Sequence, residues 1–207
     1  MKMGNSKWIL VPAAALLLGT VAFAQDTSTP TTPTPKPGEI AQRKENQQDR
    51  IANGVQSGQL TAGETSNLES KEAAINGETR ADRAANGGKL TTAEKQQINH
   101  QQNQLSKQIY TDKHNANTAH YGNNEVGQRR ENQQDRIANG IKSGSMTAGE
   151  AAHAANREQG INKQIAADRA ANGGKLTAQE KRQINREQNG ASRQIYREKH
   201  NAAKQLR

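Results

Sequence analysis

Single aliphatic residues separated by polar ones form the main pattern of this chain beyond about residue 40. They recur at intervals of four or seven residues, which places them on one face of a helix. No segment alternates apolar and polar residues with a period of two, as a half-buried strand would. The pattern therefore predicts an all-α protein whose helices pack through narrow apolar stripes. The clearest stripes are Ile98, Leu105 and Ile109 in one segment and Ile184, Ala191 and Ile195 in another.

The chain contains one sequence unit twice. The segment QRKENQQDRIANG at residue 42 recurs as QRRENQQDRIANG at residue 128, an offset of 86 residues (128 − 42). The register holds without a gap as far as QIYTDKHNA, which returns as QIYREKHNA. Repetition of this quality indicates two copies of one supersecondary module. We predict two tandem helical units, the first repeat at 40–121 and the second repeat at 128–207, joined by a turn-prone hinge at 122–127.

A shorter motif lies inside each repeat and divides it into two half-repeats. Its core is Asn-Gly followed by Gly-x-Leu-Thr-x-x-Glu, with Met replacing Leu once. Thr-x-x-Glu is a capping box, in which the threonine oxygen accepts the backbone N–H three residues on and the glutamate reaches back. The motif therefore marks four helix starts. The four boxes are Thr61/Glu64, Thr91/Glu94, Thr147/Glu150 and Thr177/Glu180.

The Asn-Gly pairs before these boxes predict where the preceding helices end. Glycine adopts the left-handed conformation that stops a helix without steric cost. With starts and ends combined, each repeat should contain three helices. The predicted helices are 40–53, 62–86 and 92–115, with equivalents 86 residues later in the second repeat.

The first 24 residues have the three physical parts of a secretory signal peptide. Lys2 and Lys7 give a positive start, an apolar run follows, and Ala22-Phe23-Ala24 forms a small-x-small cleavage signal. The apolar run is shorter than the roughly 20 residues needed to span a bilayer. We therefore expect cleavage after residue 24, no transmembrane anchor after that cleavage, and an exported protein in the periplasm or outside the cell.

Residues 25–39 are rich in proline and threonine, as the stretch DTSTPTTPTPKPGE shows. Proline at this density prevents helix and favours extended polyproline II. This segment is predicted to be a disordered linker or tail ahead of the helices.

Each half-repeat resembles a degenerate EF-hand, a helix–loop–helix built around a twelve-residue loop. With Gly58 at the turn-glycine position, Leu60 takes the aliphatic position and Glu64 the final ligand position. EF-hands occur in pairs, and each repeat likewise contains a pair of half-repeats. The resemblance implies loops at 53–64, 83–94, 139–150 and 169–180.

The ligand positions of these loops leave two interpretations open. A calcium loop needs oxygen ligands at positions 1, 3 and 5 and a bidentate glutamate at position 12. Two loops place an aliphatic residue at the middle position, and the other two begin with arginine. The glutamates then serve as helix caps with no cofactor, or the first and third loops bind calcium or another divalent ion weakly. The ligands in that second case are Asn53, Ser57 and Glu64, with Asn139, Ser143 and Glu150.

Charge differs between the two repeats. Residues 42–121 carry 10 basic and 9 acidic side chains, or +1, whereas residues 128–207 carry 16 and 8, or +8. The asymmetry predicts that the second repeat faces an anionic partner, such as lipopolysaccharide phosphate, acidic polysaccharide, teichoic acid or extracellular DNA. The alternative is a solvated face of mixed charge, since Glu180, Glu187 and Glu198 lie among the bases. The candidate anion-binding residues are Lys181, Arg182, Arg186, Arg193, Arg197, Lys199, Lys204 and Arg207.

Catalysis has no support in the sequence, and no catalytic residues are assigned. The chain lacks cysteine, a Gly-x-Ser-x-Gly elbow and a His-Glu-x-x-His motif. Eleven Ile, six Leu and two Val after residue 24 are too few to line an apolar pocket. Three Tyr without Phe or Trp in that part give no platform for stacking bases, so sequence-specific nucleic-acid binding is not expected. A non-enzymatic binding or structural protein is predicted, with its oligomeric state left open.

Overall fold

Six helices and no strand make up the described part of the computed structural model, which is residue 36 and residues 38–205. The predicted all-α class is confirmed for these residues. The predicted signal peptide and nearly all of the predicted linker lie outside them. The helices are α1 (Glu39–Gln56), α2 (Ala62–Ala85), α3 (Thr92–Lys113), α4 (Glu125–Lys142), α5 (Ala148–Ala171) and α6 (Ala178–His200).

Capping boxes begin α2, α3, α5 and α6. At α2, the Thr61 hydroxyl accepts the Glu64 N–H at 3.3 Å, and the Glu64 carboxylate accepts the Thr61 N–H at 2.9 Å. The negative charge of the glutamate also lies at the positive pole of the helix dipole. The sequence motif thus fixes the first turn of four helices. The other three boxes are Thr91/Glu94, Thr147/Glu150 and Thr177/Glu180.

The predicted ends of α1 and α4 at Asn-Gly are wrong. Helix α1 continues through Asn53 and Gly54 to Gln56, and Gly54 is buried because the Leu60 side chain lies against it. The chain turns instead at Gly58, whose φ of 71° lies in the left-handed region. The glycine of this Asn-Gly pair is therefore required for packing and does not end the helix, because a side chain at residue 54 would collide with Leu60. Helix α4 repeats this arrangement: it continues through Asn139 and Gly140, the Met146 side chain lies against Gly140, and the chain turns at Gly144.

The predicted hinge at 122–127 is in part helical. Helix α4 begins at Glu125, and the Asn124 side chain accepts the Gly127 N–H at 3.0 Å. Asparagine is among the preferred residues at this cap position. A side chain at 127 would collide with the carbonyl oxygens of Tyr121 and Gly122. The connection between the repeats is therefore a tight turn that leads directly into α4.

The two repeats pack against each other through equivalent helices. Helix α2 contacts α5 more extensively than any other pair of helices meets, and α1 contacts α4. The Ser66 hydroxyl donates to the Ala152 carbonyl oxygen at 3.1 Å, and these positions are 86 residues apart, which is the repeat offset. Equivalent positions meet in this way when two copies pack through the same surface about a two-fold axis. The described residues of the two repeats accordingly form one compact unit.

The larger apolar cluster draws on both repeats. Side chains that are fully removed from water come from all six helices and from the loops before α2 and α5. Burial of aliphatic side chains is the main favourable contribution to folding. The two repeats therefore share an interior. Its largest members are Ile51, Leu60, Leu68, Ile98, Ile109, Ile137, Ile141, Met146 and Ile195.

Buried glutamines take places that aliphatic residues usually fill. The Gln47 side-chain amide donates to the Gln102 carbonyl oxygen at 2.6 Å and to the Ser106 hydroxyl at 2.8 Å. These bonds join α1 to α3, and the same bonds join α4 to α6. These bonds satisfy the side-chain nitrogens inside the bundle, whereas the Oε1 atoms of Gln47 and Gln133 have no hydrogen-bond partner among the described residues. The second set links Gln133 to Gln188 at 2.7 Å and to Ser192 at 3.0 Å.

Candidate anion-binding surface

One side of α6 is buried against the rest of the molecule. We call this side the buried seam and define it as Ile184, Gln188, Ala191 and Ile195. The spacing of four, three and four residues places the seam along one line of the helix. The Gln188 amide also donates to the Val126 carbonyl oxygen at 3.0 Å, which fixes the rotation of α6 relative to α4.

Arginines of the neighbouring helices hold α6 on both flanks. On one side the Arg136 guanidinium donates to the Ser192 carbonyl oxygen at 3.0 Å. On the other, the Arg157 guanidinium donates to the Gln194 side-chain oxygen at 3.2 Å. With the seam and both flanks occupied, the remaining face of α6 points to solvent.

Four arginines occupy this solvent-facing side. We call Arg182, Arg186, Arg193 and Arg197 the arginine stripe, and all four are exposed. Their spacing of four, seven and four residues aligns them along the helix, roughly opposite the buried seam. Fifteen residues at 1.5 Å each give the stripe a length of about 22 Å.

The acidic residues of α6 project away from the stripe. By helical spacing, Glu180, Glu187 and Glu198 lie roughly a third of a turn from it. The ion pairs Glu39–Arg43 and Glu125–Arg129 do not involve the stripe. Charges that look interspersed along the sequence are therefore separated around the helix.

The other predicted anion-binding residues lie apart from the stripe. Lys181 lines a cleft with Arg169 and Lys175 near the start of α4. Burial lowers the pKa of Lys199, and the charge of Arg136 lowers it further. Lys204 is exposed and donates to the Lys199 carbonyl oxygen at 3.2 Å. The predicted Arg207 lies outside the described residues.

An exposed tyrosine borders the stripe at its C-terminal end. Tyr196 is 59% exposed, and its ring stacks on His200 with centroids 4.1 Å apart. The His200 Nδ1–H donates to the Tyr196 carbonyl oxygen at 2.7 Å, so the histidine ties off the last turn. A shallow depression of about 430 Å³ between this tyrosine and α4 is lined by Arg136, Ser192, Arg193, Tyr196 and Arg197.

The first repeat has the same helix without the stripe. Of the four equivalent residues in α3, one carries a permanent positive charge. Because the fold of the two repeats matches here, the difference lies in the side chains alone. The residues equivalent to the stripe are Gln96, His100, Lys107 and Thr111.

The predicted calcium ligand Glu64 is engaged by the protein. Its carboxylate accepts the Thr61 N–H and hydroxyl at 2.9 and 2.7 Å and the Asn115 amide at 2.7 Å. Partial burial acts to raise the pKa of Glu64, but the hydrogen bonds from Asn115 and Thr61 outweigh it and lower the pKa. Glu150 is held in the same way by Thr147 and Asn201.

The remaining candidate metal ligands lie on the preceding helix and turn. Asn53 is an exposed residue of α1, and the Ser57 hydroxyl donates to the Gly54 carbonyl oxygen at 3.2 Å. Asn139 and Ser143 are placed likewise, and the Ser143 hydroxyl donates to the Asn139 carbonyl oxygen at 2.7 Å. Within the described chain, no three His, Cys, Asp or Glu side chains are grouped as metal ligands would be.

Three fully buried carboxyls of the described chain were not predicted from the sequence, and one of them, Glu69, accepts a hydrogen bond from the Gln48 side-chain amide. Glu72 and Glu158 occupy equivalent positions in α2 and α5 and are fully buried. Burial raises the pKa of each to about 7, and the cations Lys44 and Arg130 only partly offset this. A signal was present, because each glutamate follows an apolar residue by four positions and precedes an isoleucine by three.

The comparisons with known proteins add no relative. No protein-family model matches the chain, and neither a curated protein nor a solved structure matches it.

No helix within the described residues combines the length and the apolar character that crossing a bilayer requires. The surface of α6 is therefore the feature of the molecule that indicates a function.

Proposed function

We propose that this is an exported, non-enzymatic helical-repeat protein whose second repeat contacts anionic surfaces or polymers of the cell envelope or its surroundings. The observation that carries the proposal is the arginine stripe. Four guanidinium groups share one solvent-facing line of α6, whereas the first repeat has one permanent charge, Lys107, at the equivalent positions. The predicted signal peptide supports a location in the periplasm or outside the cell.

The physical basis of binding is the attraction of several unpaired cations to a polyanion. A guanidinium group keeps its charge at any physiological pH and can bind phosphate, sulfate or carboxylate through two parallel hydrogen bonds. Each contact displaces counterions from the polymer, so affinity falls steeply as salt rises. Carboxylates of the protein would compete for these groups, and on α6 they lie on another side of the helix.

The proposal is tested on the whole chain, because the two repeats share an interior. Retention on immobilised heparin and on immobilised lipopolysaccharide is measured while the salt concentration rises. One variant replaces the seven candidate residues of the second repeat that lie in the described chain with Gln. These are Lys181, Arg182, Arg186, Arg193, Arg197, Lys199 and Lys204.

A matched control removes the same charge from the first repeat. We expect retention of the parent chain and of the control, and loss of retention in the second-repeat variant. Failure of the parent chain to bind, or equal loss in both variants, would overturn the proposal. The control replaces Lys71, Arg80, Arg83, Lys89, Lys95, Lys107 and Lys113 with Gln.

A further inference from the structure

The arginine stripe has a gap in its middle. Arg182 and Arg186 form one pair and Arg193 and Arg197 another, with about 6 Å along the helix within each pair. The distance between the pairs is about 10 Å. A side chain at 189 or 190 would continue the line, but these residues are Asn189 and Gly190. A regular row of charges would therefore need a cation from elsewhere at this point.

Arg157 of α5 lies at this gap. Its guanidinium group occupies the space where a Cβ atom of residue 190 would be, and it donates to Gln194 one turn further along α6. The partner is a neutral amide oxygen, so the arginine keeps its full charge at the surface. The row of four arginines thus gains a fifth from the neighbouring helix.

Gly190 lowers the stability of α6, and the position of Arg157 explains why a glycine is present there. Glycine in a helix interior is less favourable than alanine by about 1 kcal/mol. The equivalent residue of the first repeat is Gln104, and the equivalent of Arg157 is Lys71. The glycine and the arginine therefore occur together, in the repeat that has the stripe.

The surroundings of the row favour a polymer strand over a membrane. Large apolar side chains exposed in the described chain are Tyr110 and Tyr196, and only the second borders the row. Helices that lie in a bilayer surface bury an apolar face beside their cations. The opposite face of α6 is already buried in the protein. A straight line of charges about 22 Å long instead matches a chain that carries anions at intervals.

We propose that Arg157, seated over Gly190, completes a five-arginine row that binds one linear polyanion, a phosphate- or sulfate-bearing chain lying along α6. This inference rests on the proposed function and specifies its partner. Each guanidinium binds an anionic group of the chain, and Arg157 bridges the two pairs so that the strand is held continuously.

Two substitutions outside the stripe test the role of the gap. Arg157→Gln removes the fifth charge. Gly190→Gln introduces the residue that the first repeat has at the equivalent position, and the new side chain displaces Arg157. Both should weaken binding of heparin and of long-chain polyphosphate several-fold. Arg157→Gln should also reduce the slope of log affinity against log salt by about one, the contribution of one contact. Lys163→Gln, an exposed charge elsewhere on α5, is the matched control and should leave both quantities unchanged.

The length of the ligand tests the linear arrangement. Defined-length oligomers of heparin and of polyphosphate are titrated into the whole chain, one series for each chemistry. Affinity should rise with length until the oligomer spans about 22 Å and then level off. The parent chain and Gly190→Gln should give the same circular dichroism spectrum, so that lost binding is not lost folding.

The outcomes separate this inference from the proposed function. If the parent chain binds no polyanion, the proposed function itself fails. If it binds, but both substitutions and ligand length leave the affinity unchanged, only the five-arginine row is refuted. Binding to vesicles of anionic phospholipid that equals binding to the polymers, with no effect of Arg157→Gln, would also overturn it in favour of a membrane surface.

Discussion

Glu72 and Glu158 have unusual environments for carboxyl groups, because both are buried in the described chain. Each carboxyl is removed from water inside the helical bundle, and its cation, Lys44 or Arg130, compensates only in part. A buried carboxylate is far less stable than a buried neutral acid, so burial favours the protonated form. These two residues therefore couple the folding of the protein to pH.

Stability should decrease as pH rises from about 4.5 to about 7. The pKa of each carboxyl is about 7 in the folded chain and near the ordinary 4.5 in the unfolded chain. Below 4.5 both states hold the proton and nothing is lost; above 7 the folded state has lost about 3 kcal/mol per carboxyl. Urea unfolding at a series of pH values measures this, and the double variant Glu72→Gln, Glu158→Gln should reduce the dependence. Burial raises the pKa of Glu69 in the same direction, so its contribution should remain in that variant.

The capping glutamates act in a different pH range. Hydrogen bonds from the backbone of Thr91 and Thr177 lower the pKa of Glu94 and Glu180. Their contribution to stability is present above the ordinary pKa of glutamate and is lost as pH falls below it.

Glu131→Gln, at an exposed site, serves as the control for the substitutions of the buried Glu72 and Glu158. A stability that increases between pH 5 and 7 would contradict the effect assigned to the buried carboxyls.

Helix starts and helix ends differ in how well the sequence predicts them. Starts were predicted because a capping box is a local motif that satisfies backbone groups within four residues. The ends of α1 and α4 were missed because Gly54 and Gly140 serve contacts with Leu60 and Met146, which lie beyond the helix. Tertiary packing of this kind leaves no signal in the local pattern.

Buried glutamines fix how the helices of one repeat meet. Gln133→Ala should destabilise the protein by about 2 kcal/mol, because the Gln188 carbonyl and the Ser192 hydroxyl lose a partner inside the bundle. Gln47→Ala in the first repeat should cost a similar amount. Thermal unfolding followed by circular dichroism gives both values, with the exposed substitution Gln179→Ala as a control. No change in either variant would mean that these bonds do not stabilise the fold.

At the scale of the whole molecule, the two repeats share the larger apolar cluster, and the second repeat has a smaller cluster of its own. Ile51 of the first repeat and Ile137 of the second are both fully buried in the shared cluster, so the larger part of the core draws on both repeats. The repetition and the candidate cations could be predicted from the sequence, because both depend only on which residue occupies each position. The sequence did not reveal that Arg157 meets Gly190, because that contact joins different helices. Prediction from sequence therefore named the arginines of the stripe and missed the contact between Arg157 and Gly190.

A shared interior should give a single unfolding transition. Ile51→Ala and Ile137→Ala remove equivalent, fully buried side chains from the two repeats. Each should lower the free energy of unfolding by about 3 kcal/mol and move the whole transition. Urea unfolding followed by circular dichroism and by tyrosine fluorescence should give coincident curves. Two separated transitions, one per repeat, would contradict the shared interior.

The bond from Ser66 to Ala152 joins the same position in the two copies. A surface that pairs with its own duplicate is self-complementary, so it would also pair two separate chains of one repeat each. In these terms the chain corresponds to a homodimer whose two subunits are covalently joined, and the link raises the effective concentration of one half at the other. Joined halves need not be identical, and here the second presents arginines on a helix where the first has mainly neutral residues.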